Sequence, residues 1–476
     1  QKIQIDKIQS KNDNVNKILS SIDRVDTALK NDELKLKKNE LIKKIKYYLF
    51  RQYPLENKTD EKVVELLDYV PLDYFVLGYI GKFNYSYDDK YIVELLGRYD
   101  ASYLYPKGDR WGFFPGISLG WRISDEKFFE PLTGVIDDLK IRASTGETGQ
   151  EQGVGMFDYL GGYTWDNGSA VLDGTYTTGL RPRDLPITNL SWVTNTNSNI
   201  GIDLTMFDNK LSVTADVFRI RRTGVPAPKY DVLLPSEVGY TLPEENLNEN
   251  GYNGAEGIIT YKSSINDFNY SVSGNFTYSR YKSISTYKPR FGNSWAEYRN
   301  SAEDRWGGIW WGYQVVGRFQ NEEEIRNYPI NIDGQNNRTL LPGDFIYKDV
   351  NEDGVINGMD ERPIGYPDSW SPMISYGGTI AMNWKNIDLA IDLAGATMQS
   401  WYQNYELRNP FHAGGNSPAY LLEDRWHRAD PYDPESEWIP GRYPAIRNGN
   451  VGPNHRNSDF WLTNVWFLRL RNILGR

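Results

Sequence analysis

The stretch FNYSVSGNFTYS, residues 268–279, carries the clearest structural pattern in this chain. Its even-numbered positions are apolar or glycine and include aromatic residues at both ends, whereas its odd-numbered positions are small and polar. Side chains that alternate with a period of two point to opposite faces of a β-strand. Because the wet face is polar but uncharged, the pattern predicts a wall between lipid and a water-filled lumen.

The same alternation recurs in hairpins. Residues 200–206 and 211–217 alternate around the turn at 208–210, and residues 376–384 and 387–393 alternate around Lys385-Asn386. Tight turns between alternating runs are typical of antiparallel hairpins. The strands predicted in this way are 79–87, 91–100, 115–123, 138–145, 199–207, 211–220, 257–263, 268–280, 309–319, 375–385, 387–396 and 461–474.

The connections between these strands are of two kinds. Short turns alternate with long excursions rich in Gly, Asn, Pro and Trp, at about 146–198, 221–256, 281–308, 320–374 and 397–460. Such long loops are rarely structureless in a compact soluble domain. A barrel with tight turns at one rim and large loops at the other accounts for them, so we predict an all-β, antiparallel transmembrane β-barrel.

Composition limits the possible functions. The chain has 476 residues and a net charge of -10, which makes nucleic acid an unfavourable partner. It has no cysteine, which removes disulfides, thiolate catalysis and Cys-ligated metals. The mean hydropathy is -0.61, and no apolar run is long enough for a spanning helix. No nucleophile–base pair stands out, so no catalytic residue is predicted, and a glycosidase stays open because its carboxylate pair is defined only in space.

Residues 1–48 differ from the rest of the chain. They are rich in Lys, Asn, Asp and Ile and have no Gly, Pro or Trp. An apolar residue recurs every seven positions, at Ile8, Val15, Ile22, Leu29 and Leu36. The pattern predicts a short amino-terminal helical or coiled-coil-like segment over 1–48, followed by a partial barrel over 49–476. With no signal peptide and a last strand that breaks off, the sequence is expected to be a fragment at both ends.

One local motif predicts a metal site. Residues 349–360, DVNEDGVINGMD, match a twelve-residue calcium loop with oxygen ligands at the expected spacing and a glycine at the sharp turn. Asp in place of Glu at the last position, and the lack of flanking helices, depart from that pattern. The alternative is an Asx-rich turn satisfied by its own backbone. The predicted Ca²⁺ ligands are Asp349, Asn351, Asp353, Val355, Asn357 and Asp360.

Aromatic clusters in the long loops predict ligand contacts. Aromatic faces stack on sugar rings or peptide side chains, although loop packing and interfacial anchoring use the same residues. The candidate substrate-binding residues are Trp306, Trp310, Trp311, Tyr313, Trp401 and Tyr402.

Several segments resemble, in family order, the SusC/RagA family of TonB-dependent outer-membrane transporters of Bacteroidota. They cover roughly residues 75 to 476 and include short, specific motifs. The motifs are RYDAS (98–102), PKGDRWGFFP (106–115), GWRIS (120–124), LKIRASTG (139–146), PGD (342–344), the 349–360 loop with IG (364–365), SDFWL (458–462) and LRLRN (468–472).

The resemblance implies an importer of large nutrients, such as oligosaccharides or peptides, in the outer membrane of a Gram-negative bacterium, and it implies that the protein is not an enzyme. It also implies contact with outer-membrane lipid, a SusD-like lipoprotein as partner, and energy from TonB through a plug that this sequence lacks. Family barrels are of the 22-strand kind, and roughly a dozen strands are predicted here, about half. The alternative is a secreted carbohydrate-binding or glycoside-cleaving β protein, motivated by the aromatic loops and acidic charge.

Overall fold

A continuous antiparallel sheet, which we call the wall, dominates the fold. The computed structural model describes residues 76–155, 158–182, 185–229, 232–235, 237, 241–367, 371–447 and 452–475. The segment 1–48 and its boundary therefore lie outside the described residues. The described residues belong to one unit of the chain, which begins at Val76.

The strands of this unit, in chain order, are β1 (Val76–Tyr87), β2 (Tyr91–Ser102), β3 (Trp111–Arg122), β4 (Ile136–Gln150), β5 (Tyr163–Leu172), β6 (Thr175–Pro182), β7 (Val193–Met206), β8 (Leu211–Ala227), β9 (Glu245–Ile265), β10 (Phe268–Ser285), β11 (Arg305–Trp306), β12 (Trp310–Gly312), β13 (Val315–Arg318), β14 (Phe345–Tyr347), β15 (Arg362–Ile364), β16 (Ile374–Trp384), β17 (Ile387–Tyr402), β18 (His427–Arg428), β19 (Trp438–Ile439) and β20 (Leu462–Gly475). Short α-helices lie in the loops at α1 (Ser294–Asn300), α2 (Glu322–Asn327) and α3 (Ala419–Glu423). Within the described ranges, no helix combines the length and the apolar character that crossing a membrane requires.

The wall runs β1-β2-β3-β4-β7-β8-β9-β10-β16-β17-β20, and β11 adds a short pairing to β10. Each neighbouring pair is antiparallel. Eleven strands follow this path in the described part of the chain, which is half of a 22-strand barrel. The predicted all-β antiparallel fold is confirmed.

The strand register separates an apolar face from a polar face. Val272 pairs with Tyr261 on one side and Ile380 on the other, and the same row continues through Ile391 to Ile473. Paired residues in a ladder point to the same side of the sheet. Val272 is 46% exposed and Ile473 is 61% exposed, so this apolar row is not the inside of a two-sheet core.

The two rims of the wall differ as predicted. Tight turns join β1 to β2, β7 to β8, β9 to β10 and β16 to β17 at one rim. Asp88, Asp208, Asn266 and Lys385 adopt positive φ in these turns, a conformation that Asp and Asn tolerate better than most residues. The longest connections, including those from β10 to β16 and from β17 to β20, lie at the opposite rim, whereas the connection of intermediate length from β3 to β4, residues 123–135, lies at the tight-turn rim.

The buried core lies in the long loops rather than beneath the wall. Its fully buried members include Phe319, Ile332, Phe345 and Trp461, which come from the 286–373 and 403–461 connections. We call the buried residues of these two connections, together with Tyr402 at the end of β17, the loop core. Its other members include Tyr313, Ile325, Leu340, Ile346, Tyr347, Ile356, Tyr402 and Leu421.

The loop core corrects one sequence prediction. A single strand was expected over 309–319, but the chain forms two short strands, β12 and β13, that pair with β15 and β14 instead of with the wall. Trp311, Gly312 and Tyr313 are buried one after another, so both faces of this segment are covered. A strand of the wall has one face toward water, which requires polar side chains at alternate positions, and this run of apolar residues does not supply them.

Candidate functional site

The polar face of the wall is the candidate functional site. On this face Thr260 and Ser273 share a hydrogen bond of 3.0 Å, and Thr379 donates to Asp392 at 2.8 Å. Toward the tight-turn rim, Ser271, Asn383 and other residues line a cavity of about 830 Å³. Small polar side chains around a concave surface suit a water-filled path.

A guanidinium between two carboxylates crosses three strands of this face. Arg142 on β4 donates from Nε and Nη2 to Asp203 on β7, at 2.7 and 3.1 Å. It also donates from Nη1 and Nη2 to Asp216 on β8, at 3.1 and 3.0 Å. Thr214 adds a hydrogen bond of 3.3 Å to Asp203. Bidentate pairing fixes the geometry, and one cation against two anions leaves this patch of the lumen wall net negative.

A glycine makes that cluster possible. Gly201 on β7 lies in register between Arg142 and Asp216. A Cβ at this position would lie 2.2 Å from Asp216 Oδ1 and 2.8 Å from Arg142 Nη2. Any side chain at Gly201 would therefore force the ends of Asp216 and Arg142 to shift, because both atoms occupy the space that a Cβ would need.

The predicted calcium loop is folded through its own backbone. Both oxygens of Asp360 accept backbone N–H groups, from Val350 at 2.9 Å and from Asn357 at 2.8 Å. Asp349 Oδ2 accepts the N–H of Gly354 at 2.8 Å, and Gly354 has a φ of 79° at the sharp turn. These are the contacts that an Asx-rich turn makes.

The remaining predicted ligands are engaged as well. Asp353 accepts the Asn351 amide at 2.9 Å and the Val355 N–H at 2.9 Å, and these hydrogen bonds lower the pKa of Asp353. The Val355 carbonyl accepts the amide of Asn357 at 3.3 Å. In contrast, Asp349 Oδ1 is buried without a partner. Within the described residues, no group of three or more His, Cys, Asp or Glu side chains converges in a way that could hold a metal. Calcium binding stays a prediction that requires these carboxylates to exchange partners.

The candidate aromatic residues separate into three environments. Trp311 and Tyr313 in the loops and Tyr402 at the end of β17 are buried, and packing accounts for them. Trp306 and Trp310 line a cavity of about 460 Å³. By contrast, Trp401 is 49% exposed and is not among the residues that line this cavity. Ligand contact by these six residues stays a prediction.

A buried ion pair in the loop core was not predicted. Asp344 is fully buried, pairs with Arg447, and accepts Asn454 Nδ2 at 2.7 Å and the Leu341 N–H at 2.8 Å. Burial raises the pKa of Asp344, although Arg447 and these hydrogen bonds oppose the shift. Asp344 belongs to the PGD motif, but no local spacing predicts its ion pair, because Arg447 and Asn454 lie about a hundred residues away in sequence.

Known proteins with similar sequences are TonB-dependent receptors. The chain is 26% identical over 436 residues to TonB-dependent receptor P39 of Formosa agariphila, a match that covers 83% of this chain and 39% of the relative. It is 26% identical over 404 residues to TonB-dependent receptor SusC of Bacteroides thetaiotaomicron, covering 84% of this chain and 37% of the relative. These names are those of receptors, not of enzymes.

The fold also matches a solved importer. The RagAB peptide importer in its open-open state gives a TM-score of 0.61 at 19% identity, over 84% of this chain and 40% of that chain. The chain thus spans about two fifths of the length of the relatives that it matches. The model of the TonB-dependent receptor-like β-barrel matches residues 67–335, which is more than half of the chain, and the chain therefore belongs to that family.

Proposed function

We propose that this chain forms part of the barrel of an active importer of large nutrients, glycan or peptide fragments, in the outer membrane of a Gram-negative bacterium. The observation that carries the proposal is the two-sided wall, with exposed apolar rows on one face and the Arg142, Asp203 and Asp216 cluster on the other. Membership in the TonB-dependent receptor family supports it. Transport in this proposal involves no covalent chemistry.

The proposed partners follow from the same family. A SusD-like lipoprotein would cover the loop rim, and TonB would act through a plug outside this sequence. The sequence relatives include SusC, and the fold matches the RagAB importer, which supports this pairing. Purification of the tagged protein in mild detergent is expected to recover one such lipoprotein in equal amount. Its absence would contradict the partner and leave the barrel unaffected.

Calcium at residues 349–360 is also a proposal. The ion would join the oxygens of Asp349, Asp353 and Asp360 and hold the loop core beside it closed. The buried, unpartnered Asp349 Oδ1 supports it, because an oxygen in that position lacks the partner that buried polar atoms normally have.

Uptake by living cells tests the importer function. A strain that lacks the gene is compared with its parent in a medium that contains a defined mixture of oligosaccharides and peptides, and depletion of each compound is followed. The parent is expected to remove at least one compound faster, and a protonophore is expected to abolish the difference. Equal depletion of every compound, or uptake that does not respond to the protonophore, would contradict active import.

A further inference from the structure

A cavity of about 460 Å³ opens where the wall is incomplete near the loop rim. Strand β16 begins at Ile374, which pairs with Tyr278, while β10 continues to Ser285. Beyond that point the short β11 takes the place of β16, with Trp306 paired to Lys282. The cavity lies next to the place where β11 replaces β16 as the neighbour of β10, between Arg280 on β10 and the loop that follows β15.

Two donors on the cavity lining lack acceptors. Arg280 lies over the indole of Trp306, with its Cζ atom 4.8 Å from the ring centroid, and its Nε–H is buried without a partner. Trp310 Nε1 is also buried without a partner. Buried hydrogen-bond donors normally have acceptors. Two buried donors without acceptors in the same cavity therefore point to an acceptor that the chain does not supply.

The carboxylates nearby are already engaged. Glu303 accepts both the N–H and the hydroxyl of Thr286, at 2.5 and 2.8 Å. Asp304 pairs with Lys282 at 2.5 Å. Among the described residues, no ion pair involves the Arg280 guanidinium. The cavity therefore offers a cation on an aromatic platform, which suits an anionic group with several oxygens.

The strand alternation places this cation on the apolar side of the wall. Arg280 follows Phe276 and Tyr278 on the same face of β10, and the pairing of β10 with β9 has no irregularity before Ser283. The row that contains Arg280 lies just beyond the exposed apolar rows, toward the loop rim. Aromatic and cationic side chains in such a position meet lipid headgroups, whereas the lumen faces the opposite side.

We propose that this cavity binds a phosphate group on the headgroup of an outer-leaflet glycolipid. The Arg280 guanidinium would bind the phosphate oxygens, Trp310 Nε1 would donate a further hydrogen bond, and Trp306 would hold the guanidinium flat. The inference departs from the sequence prediction, which assigned both tryptophans to the nutrient. It rests on the proposed outer-membrane location but requires no transport.

Lipid binding by the purified full-length protein tests the proposal. Wild type, Arg280→Gln, Arg280→Lys and Arg219→Gln are titrated in detergent with phosphorylated lipid A, dephosphorylated lipid A, inorganic phosphate or a soluble carboxylated oligosaccharide, and the bound ligand is counted by native mass spectrometry. Arg219 is the matched control because it lies in the same row through Asn253 but lines a different surface. A gel shift between heated and unheated samples verifies that each variant is folded.

The proposal predicts that Arg280→Gln weakens binding of phosphorylated lipid A at least about tenfold, since a charge-assisted hydrogen bond is lost. Arg280→Lys should lie between Gln and wild type, because lysine keeps the charge without the planar fork. Arg219→Gln should change affinity by less than about twofold, and lipid A without phosphate should bind as weakly to wild type as to Arg280→Gln.

Three results would overturn the proposal. These are equal binding of phosphorylated lipid A to wild type and Arg280→Gln, binding of inorganic phosphate as tight as that of the lipid, and Arg280-dependent binding of a soluble carboxylated oligosaccharide without lipid binding. The last result would assign the cavity to the nutrient. Lipid binding that depends on Arg280, together with failed nutrient uptake, would instead contradict only the importer function.

Discussion

Replacement of Asp344 by asparagine is expected to loosen the loops while leaving the wall intact. Asparagine keeps the shape of the side chain, but it leaves the guanidinium of Arg447 buried without a counter-charge; that side chain is only 15% exposed. Breaking a buried ion pair by removing one partner costs about 3–5 kcal/mol. The equilibrium constant for opening the loop core should therefore rise by roughly two to three and a half orders of magnitude.

Limited proteolysis of the detergent-solubilised protein measures this opening, because cleavage follows the population of the open form when closing is fast. The control is Glu322→Gln, which removes a surface pair with Arg428 at 2.9 Å in the same loops, where Glu322 is half exposed. Surface pairs contribute about 0–1 kcal/mol, so cleavage should rise less than about fivefold. A second replacement, Arg447→Met, should restore much of the protection of Asp344→Asn. Equal cleavage rates for Asp344→Asn and Glu322→Gln would show that the buried ion pair does not hold the loop core closed.

Three further outcomes are expected. Burial lowers the pKa of His455 to about 4, so between about pH 6.5 and pH 4 the unfolded loops bind a proton that the folded loops do not bind. The free energy of unfolding of the loops should therefore be highest above about pH 6.5 and fall by about 3 kcal/mol toward pH 4. This loss should vanish in His455→Asn when proteolysis is followed against pH. If Ca²⁺ occupies residues 349–360, a chelator should accelerate cleavage of wild type but not of Asp349→Ala. Equal cleavage of wild type with and without chelator would exclude a structural role for Ca²⁺ in this loop. Arg142→Gln leaves the carboxylates of Asp203 and Asp216 facing each other, so it should lower the unfolding temperature of the barrel by a few degrees, and a second replacement, Asp216→Asn, should partly reverse this loss. No change in the heat-dependent gel shift would contradict a structural role for this cluster.

The wall could be predicted from sequence because its physics is local. Alternation over residues 268–279 and tight turns such as Lys385-Asn386 each require only neighbouring positions, and the ladder reproduces them. The loop core could not be predicted in this way. Its segment 309–319 was expected to be one strand because its apolar residues favour β-structure, but those residues are buried by groups far away in sequence, such as Trp461.

The candidate site shows the same division. The spacing over residues 349–360 correctly indicated a tight, oxygen-rich turn with Gly354 at the bend, because the hydrogen bonds of that turn are local. Arg142 finds Asp203 and Asp216 61 and 74 residues away, so no local spacing marks the cluster. A signal was present nonetheless, since each of these charged residues occupies a polar-face position of its strand, where most neighbours are small and uncharged.

The most direct test of the two-sided wall compares neighbouring positions on β10. Because the chain has no cysteine, Val272→Cys and Ser273→Cys each provide a unique attachment point for a spin label in the membrane-embedded protein. We expect the label at 272 to collide with oxygen dissolved in lipid and the label at 273 to collide with a water-soluble nickel chelate. Labels that are shielded from both at 272, or a reversed pattern between the two positions, would contradict a wall with lipid on one side and water on the other.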